Sequence, residues 1–99
     1  MRPGVAAASV DQAAREVLKQ AGLAQYFTHS TGHGVGLEIH EGPRLGSRTE
    51  DVLLEGMVVT IEPGVYLADR FGIRIEDMVV VEAAGARVLT PSPKALLTL

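Results

Sequence analysis

Between Ser9 and Gly22 the chain reads SVDQAAREVLKQAG, and its apolar residues Val10, Ala13, Ala14, Val17, Leu18 and Ala21 recur at helical spacing. Ser9 and Gln12 stand three apart as a capping box and Gly22 supplies a stop, so the pattern predicts an amphipathic helix over this span. Downstream the period shortens to two. GVGLEIHE alternates like a strand, GPRLGSRTEDVLLEG reads as a loop with turn glycines, and MVVTIEPGVYL is β-branched until Pro63 and Gly64 interrupt it. GIRIEDMVVVEAAG alternates again, Gly85 sits where a hairpin should turn, and ARVLT makes a last short strand before a proline-containing tail. There is no internal repeat and no low-complexity segment. One helix followed by antiparallel strands predicts an α+β fold.

Composition narrows the class. A chain of 99 residues holds one domain at most, and 46% apolar with 21% charged residues is ordinary for a folded globular protein. The formal net charge of -3 and the scatter of the nine Lys and Arg residues argue against nucleic acid as a partner, because phosphate binding needs clustered cations. The absence of cysteine excludes disulfides and thiolate metal sites and is compatible with a reducing compartment. No apolar run approaches the roughly 20 residues that cross a bilayer, and MRPGVAAASVDQ lacks the long apolar segment of a signal peptide. The expectation is a cytoplasmic protein with no membrane partner.

All three histidines, His29, His33 and His40, fall in FTHSTGHGVGLEIHE. Their spacing is not that of a helical zinc site, which needs H-E-x-x-H, and Gly32, Gly34 and Gly36 do not form a nucleotide-binding fingerprint. What remains is a backbone thinned by glycine beside histidines, as where a bulge forms or something else comes close. On a regular strand His33 and Leu37 share one parity and His40 has the other, unless a bulge intervenes. Surface histidines on an irregular strand are one reading. The other gains weight from Glu62 in VVTIEPG and Glu76 in GIRIEDMVVV, carboxylates set in apolar, strand-like runs where they are costly unless paired or bound to metal. Arg74, two residues before Glu76, offers a structural ion pair as an alternative for Glu76 but leaves Glu62 unexplained. One imidazole and two carboxylates converging from three strands would suit manganese, cobalt or zinc.

HSTGHGVGLEIHE, LLEGMVVTIEPGVY and GIRIEDMVVV resemble, in that order, the motifs of the pita-bread metallopeptidases, and specifically the proline-peptidase branch of Xaa-Pro dipeptidase (prolidase) and aminopeptidase P. The helix and the ending PSPKALLTL are similar to that family too, so the resemblance extends over essentially the whole chain. Methionine aminopeptidases share the fold, but RIED favours the proline branch. In that family two divalent ions share a set of two aspartates, one histidine and two glutamates. The resemblance implies His33, Glu62 and Glu76 as metal ligands, with Glu76 bridging the ions and Glu62 as the proton acceptor for the attacking water. It implies His29 and His40 as contacts to substrate and to the tetrahedral intermediate, and Tyr66 and Arg74 as supports of ligands and substrate. The implied substrates are proline-containing di- or oligopeptides.

One departure is serious. The family's aspartate ligands lie upstream of the histidine motif, whereas the aspartates here are Asp11, on the predicted helix, and Asp51, Asp69 and Asp77, all after the histidines. The resemblance therefore implies that residues 1–99 are the second half of a pita-bread catalytic domain, the first half being absent. A partial ligand set predicts at most one weakly bound ion and little or no peptidase activity for the chain by itself. An uncovered apolar face predicts a homo-oligomer or other association. Two other readings stand beside the enzymatic one: a non-catalytic binding module of the same fold, and a free-standing small structural domain.

Overall fold

The computed structural model describes all 99 residues. Helix α1 spans Ala7–Gln20, starting two residues before the expected capping box. Residues 4–7 pair with 51–53: Gly4 N–H donates to the Leu53 carbonyl at 2.8 Å, Leu53 N–H to Val5 at 2.9 Å, and Ala7 N–H to Asp51 at 2.9 Å. This tertiary ladder sets the helix start in place of a side-chain cap. Ser9 lies inside the first turn, where its hydroxyl donates to the Ala6 carbonyl at 2.6 Å, so the Ser9–Gln12 box does not cap the helix. The expected stop does form. Gly22 takes φ +74°, its N–H donates to Lys19 at 3.0 Å and Leu23 N–H reaches Leu18 at 2.8 Å, a Schellman closure that favours glycine.

The apolar positions of α1 do not all face inward. Val10 packs against the core, whereas Val17 is 68% exposed, and the fully buried residues of the helix are Ala7 and Asp11. The helix is turned toward the face that carries Asp11, for a reason that belongs to the site.

Beyond a short 3-10 turn at Ala24–Tyr26 come seven strands: β1 Gly32–Gly34, β2 Glu41–Leu45, β3 Val58–Ile61, β4 Gly64–Leu67, β5 Phe71–Arg74, β6 Asp77–Glu82 and β7 Gly85–Val88. Five form an antiparallel sheet in the order β2-β1-β3-β6-β7, and β4-β5 is a separate hairpin carried between β3 and β6. The α+β expectation holds, and so does the last hairpin, where Glu82 pairs with Gly85 across Ala83 and Ala84. The core gathers Ala7, Leu45, Leu53, Val59, Val79 and Val81, whose burial stabilises by about 1.5–3 kcal/mol for each Val or Leu. No helix is long and apolar enough to cross a membrane.

Two sequence expectations are corrected. GVGLEIHE is not a strand: β1 ends at Gly34, the chain bends through 36–40, and Leu37 and Ile39 are 106% and 79% exposed. Its alternation therefore does not report burial. GPRLGSRTEDVLLEG is not all loop, because its first residues complete β2, where Pro43 and Leu45 are buried. The pairing of β1 with β2 shifts between His33 and Gly34, so that His33 faces Arg44 while Gly34 faces Glu41. The Glu41 carboxylate accepts from Glu38 N–H at 3.3 Å and fills the space a side chain at position 36 would need, 2.2 Å from its Cβ.

The closest approach in the sheet is at Gly32, where an added Cβ would stand 1.7 Å from the Thr60 carbonyl oxygen. Because the obstacle is main chain, β1 and β3 would have to part. Gly32→Ala is expected to destabilise the chain by roughly 3 kcal/mol, read as a lower urea midpoint, while Gly42→Ala, with open space around it, should fold.

Candidate functional site

Sheet register builds the site. The pair Ile61–Asp77 of β3 and β6, continued by one step, sets Glu62 opposite Glu76. The pair Gly34–Val59 of β1 and β3, continued the other way, sets His33 opposite Thr60 and Thr31 opposite Glu62. Two contacts follow from that register: Glu62 N–H donates to the Thr31 carbonyl at 2.6 Å, and His33 N–H to Thr60 Oγ1 at 3.1 Å. Opposed residues and residues two apart share a face, so His33, Glu62 and Glu76 fall on one side of three neighbouring strands. β3 ends at Ile61, with Glu62 and Pro63 following it, and Glu76 precedes β6, which sets both glutamates at the same end of the sheet.

His33 Nδ1 meets the Gly34 carbonyl at 2.9 Å, and since a carbonyl only accepts, Nδ1 carries the proton. Nε2 is left with its lone pair, 3.7 Å from Glu62 Oε2, where it suits a metal ion or a shared proton. Withdrawal from water raises the Glu76 pKa above its ordinary 4.5, the neighbouring Glu62 carboxyl raises it further through its hydrogen-bonding reach and its negative charge, and Arg74 and His33 oppose them. The alternative of an Arg74–Glu76 ion pair is not realised: the side-chain ion pairs are Asp11–Arg15, His33–Glu62, Glu82–Arg87 and Asp77–Lys94. Arg74 closes β5 and Glu76 lies in the link after it, so the two do not sit on one regular strand.

The other predicted residues gather around this face. The bend through 36–40 brings His40 back to His33, their ring centroids 4.3 Å apart, which an unbroken strand would have prevented. His29 donates from Nδ1 to the Ser30 carbonyl at 2.8 Å, so its Nε2 accepts from the Tyr66 hydroxyl, also at 2.8 Å. An open cleft of about 580 Å³ is lined by His29, His33, His40, Arg44, Glu62 and Arg74, among other polar residues and glycines. No group of three His, Asp or Glu side chains is arranged to hold a metal ion, so the three expected ligands do not form a closed set, and the contact among them is His33 with Glu62.

Sequence patterns did not single out Arg44 and Asp51, which also line the cleft; Asp51 Oδ2 accepts from Arg44 N–H at 2.8 Å. Nor did they single out Asp11, Arg15 and Thr31. Asp11 is fully buried and accepts from Arg15 Nε at 2.7 Å and from the Thr31 hydroxyl and N–H at 2.8 and 3.2 Å. The i, i+4 spacing of Asp11 and Arg15 is the one signal in the sequence, and on a helix it ordinarily marks a solvated pair.

A carboxyl whose folded-state pKa is raised contributes stability that is whole below its unfolded value and fades as pH rises through the folded one. Between pH 4.5 and neutrality the metal-free chain should therefore lose a small amount of stability that Glu76→Gln retains. Urea midpoints across that range read the difference, and parallel pH profiles for the two proteins would show that folding does not raise the Glu76 pKa.

The family model of metallopeptidase family M24 matches residues 1–83. The chain is 52% identical over 96 residues to the Xaa-Pro dipeptidase of Pyrococcus furiosus, covering 97% of this chain and 28% of that one. Among solved structures it is similar to an Xaa-Pro dipeptidase from Bacillus anthracis, with TM-score 0.96 and 45% identity over 100% of this chain and 28% of the other. An X-Pro aminopeptidase from Thermotoga maritima matches with TM-score 0.91 and 45% identity, over 95% of this chain and 27% of that one. The α+β fold is thus that of the pita-bread peptidases. The chain spans little more than a quarter of the length of these relatives.

Proposed function

Because the chain belongs to metallopeptidase family M24, we propose that it carries the histidine and glutamate side of a dinuclear Xaa-Pro peptidase site, which in the whole protein hydrolyses peptide bonds that precede proline. The observation that supports this most is the register that sets His33, Glu62 and Glu76 on one face at one end of the sheet. In this reading residues 1–99 are the second half of a catalytic domain, and the two aspartate ligands come from the first.

The donors fit a divalent ion such as manganese, cobalt or zinc: one imidazole nitrogen freed of its proton by the Gly34 carbonyl, and two carboxylates. His33 Nε2, Glu62 and Glu76 would hold it. When bound, such ions lower the pKa of a water and polarise a carbonyl. Glu62 takes the proton of the attacking water. His29 and His40 flank the cleft where the peptide lies, and Tyr66 steadies His29 by donating to its Nε2 at 2.8 Å. Arg44 and Arg74 give the cleft two cations, which suits a peptide that ends in a carboxylate.

Keeping all three donors on one face favours an enzyme over a binding module. The absence of cysteine fits a reducing compartment such as the cytoplasm, and exposed Val17, Phe71 and Ile73 fit an assembled state.

The chain by itself, with three of the five implied ligands, is expected to bind at most one manganese ion weakly and to leave a Gly-Pro dipeptide uncleaved. Chelator-sensitive turnover by the purified chain would overturn the half-site reading. In the complete protein, His33→Ala should lower metal-dependent Xaa-Pro hydrolysis by at least about a hundredfold, since loss of mere supporting contacts to a ligand already costs ten- to a hundredfold. The circular dichroism spectrum should stay unchanged, and turnover that survived the substitution would remove His33 from the site.

A further inference from the structure

We propose that Arg15, held by the buried carboxylate of Asp11, is a positioning residue for His29. Its guanidinium makes three directed hydrogen bonds: Nε to Asp11 Oδ2 at 2.7 Å, Nη1 to the Phe27 carbonyl at 3.1 Å and Nη2 to the His29 carbonyl at 2.7 Å. The same group lies over the Phe27 ring, 4.3 Å from its centroid, and that ring and the His29 imidazole meet in a T-shaped contact, the centroids 5.1 Å apart and the planes at 84°. One cation therefore fixes the main chain on both sides of Thr28 and the aromatic wall against which His29 rests.

The imidazole has few freedoms left. Its Nδ1–H is spent on the Ser30 carbonyl, and its Nε2 receives the Tyr66 hydroxyl from β4. Both bonds require the main chain at 27–30 to keep its path, and no strand ladder holds that segment, since β1 begins only at Gly32. The Arg15 fork replaces the ladder. Asp11 has a matching reason to be buried: fully withdrawn from water, it fixes the Nε edge of the guanidinium and leaves both Nη groups aimed at the carbonyls. Lysine, with one nitrogen and no fork, could balance the Asp11 charge but could not reach the two carbonyls in this geometry.

That His29 acts on a peptide rests on the proposed function, whereas its support by Arg15 does not, and the test is chosen to separate them. The readout is the tautomer pattern of the histidine side chains in two-bond nitrogen–proton correlation spectra of the metal-free chain. In the unaltered protein His29 and His33 should each show a single Nδ1–H form. In Arg15→Lys the His29 pattern should collapse to averaged tautomers while His33, held by the Gly34 carbonyl, keeps its own. An unchanged His29 in a folded variant would overturn the proposal. Equal changes at His29 and His33 would overturn it too, because they would show a general support of the fold. If Arg15→Lys does not fold, the double variant Asp11→Asn with Arg15→Gln, which removes both charges together and leaves none unpaired, decides by the same outcomes.

Discussion

A single buried charge organises this chain. The Asp11 carboxylate is wholly withdrawn from water on α1, a helix that is otherwise half-exposed. An unpaired carboxylate there would be untenable, and removing one partner of such a pair costs about 3–5 kcal/mol. Its three donors come from Arg15 on the same helix and from Thr31 at the approach to β1. The helix consequently presents its polar Asp11 edge to the sheet, and Val17 is left facing outward. Thr31 passes the constraint on, since its carbonyl accepts from Glu62 N–H. The carboxylate thus fixes the relative places of the helix, the His29 segment and the end of β3.

A second constraint is closeness of backbones. Gly32 lies where Thr60 leaves no room for a side chain, and Gly36 lies over the Glu41 carboxylate. The first lets β1 sit against β3 so that His33 and Glu62 become diagonal neighbours. The second lets the chain fold back after β1 and return His40 to His33. The glycines of this stretch matter because two side-chain clusters need the main chain in places a Cβ would occupy.

Much of the fold was legible because its signals are local. The strands around Val59 and Val79 announce themselves by β-branched runs, and Gly22 and Gly85 mark the ends they were expected to mark. The start of α1 was not legible, because Asp51, some forty positions away, supplies the partner that a capping side chain ordinarily would. Alternation in GVGLEIHE misled for another reason: Leu37 and Ile39 are exposed although they alternate with polar residues. Glu62 and Glu76 stand out as charges in apolar runs, and the sheet register, continued past β3 and β6, sets them on the face that carries His33. Asp11 could not stand out, because an aspartate four residues before an arginine on a helix looks the same whether it is solvated or buried.

The β4–β5 hairpin leaves the sheet after Glu62 and rejoins it just before Glu76, and its neck is closed by Ile75 N–H donating to the Pro63 carbonyl at 3.3 Å. Everything beyond that neck is an excursion whose length the sheet does not register. The spacing of the two carboxylates is set at the root by the Ile61–Asp77 pair, so the tip is free to lengthen, shorten or change its side chains without disturbing them. Tyr66 of β4, bonded to His29, shows that the hairpin nonetheless touches a residue that lines the cleft. Such an arrangement separates what can diverge from what cannot: related chains can acquire different preferences through the hairpin while the acidic pair beneath it stays where it is.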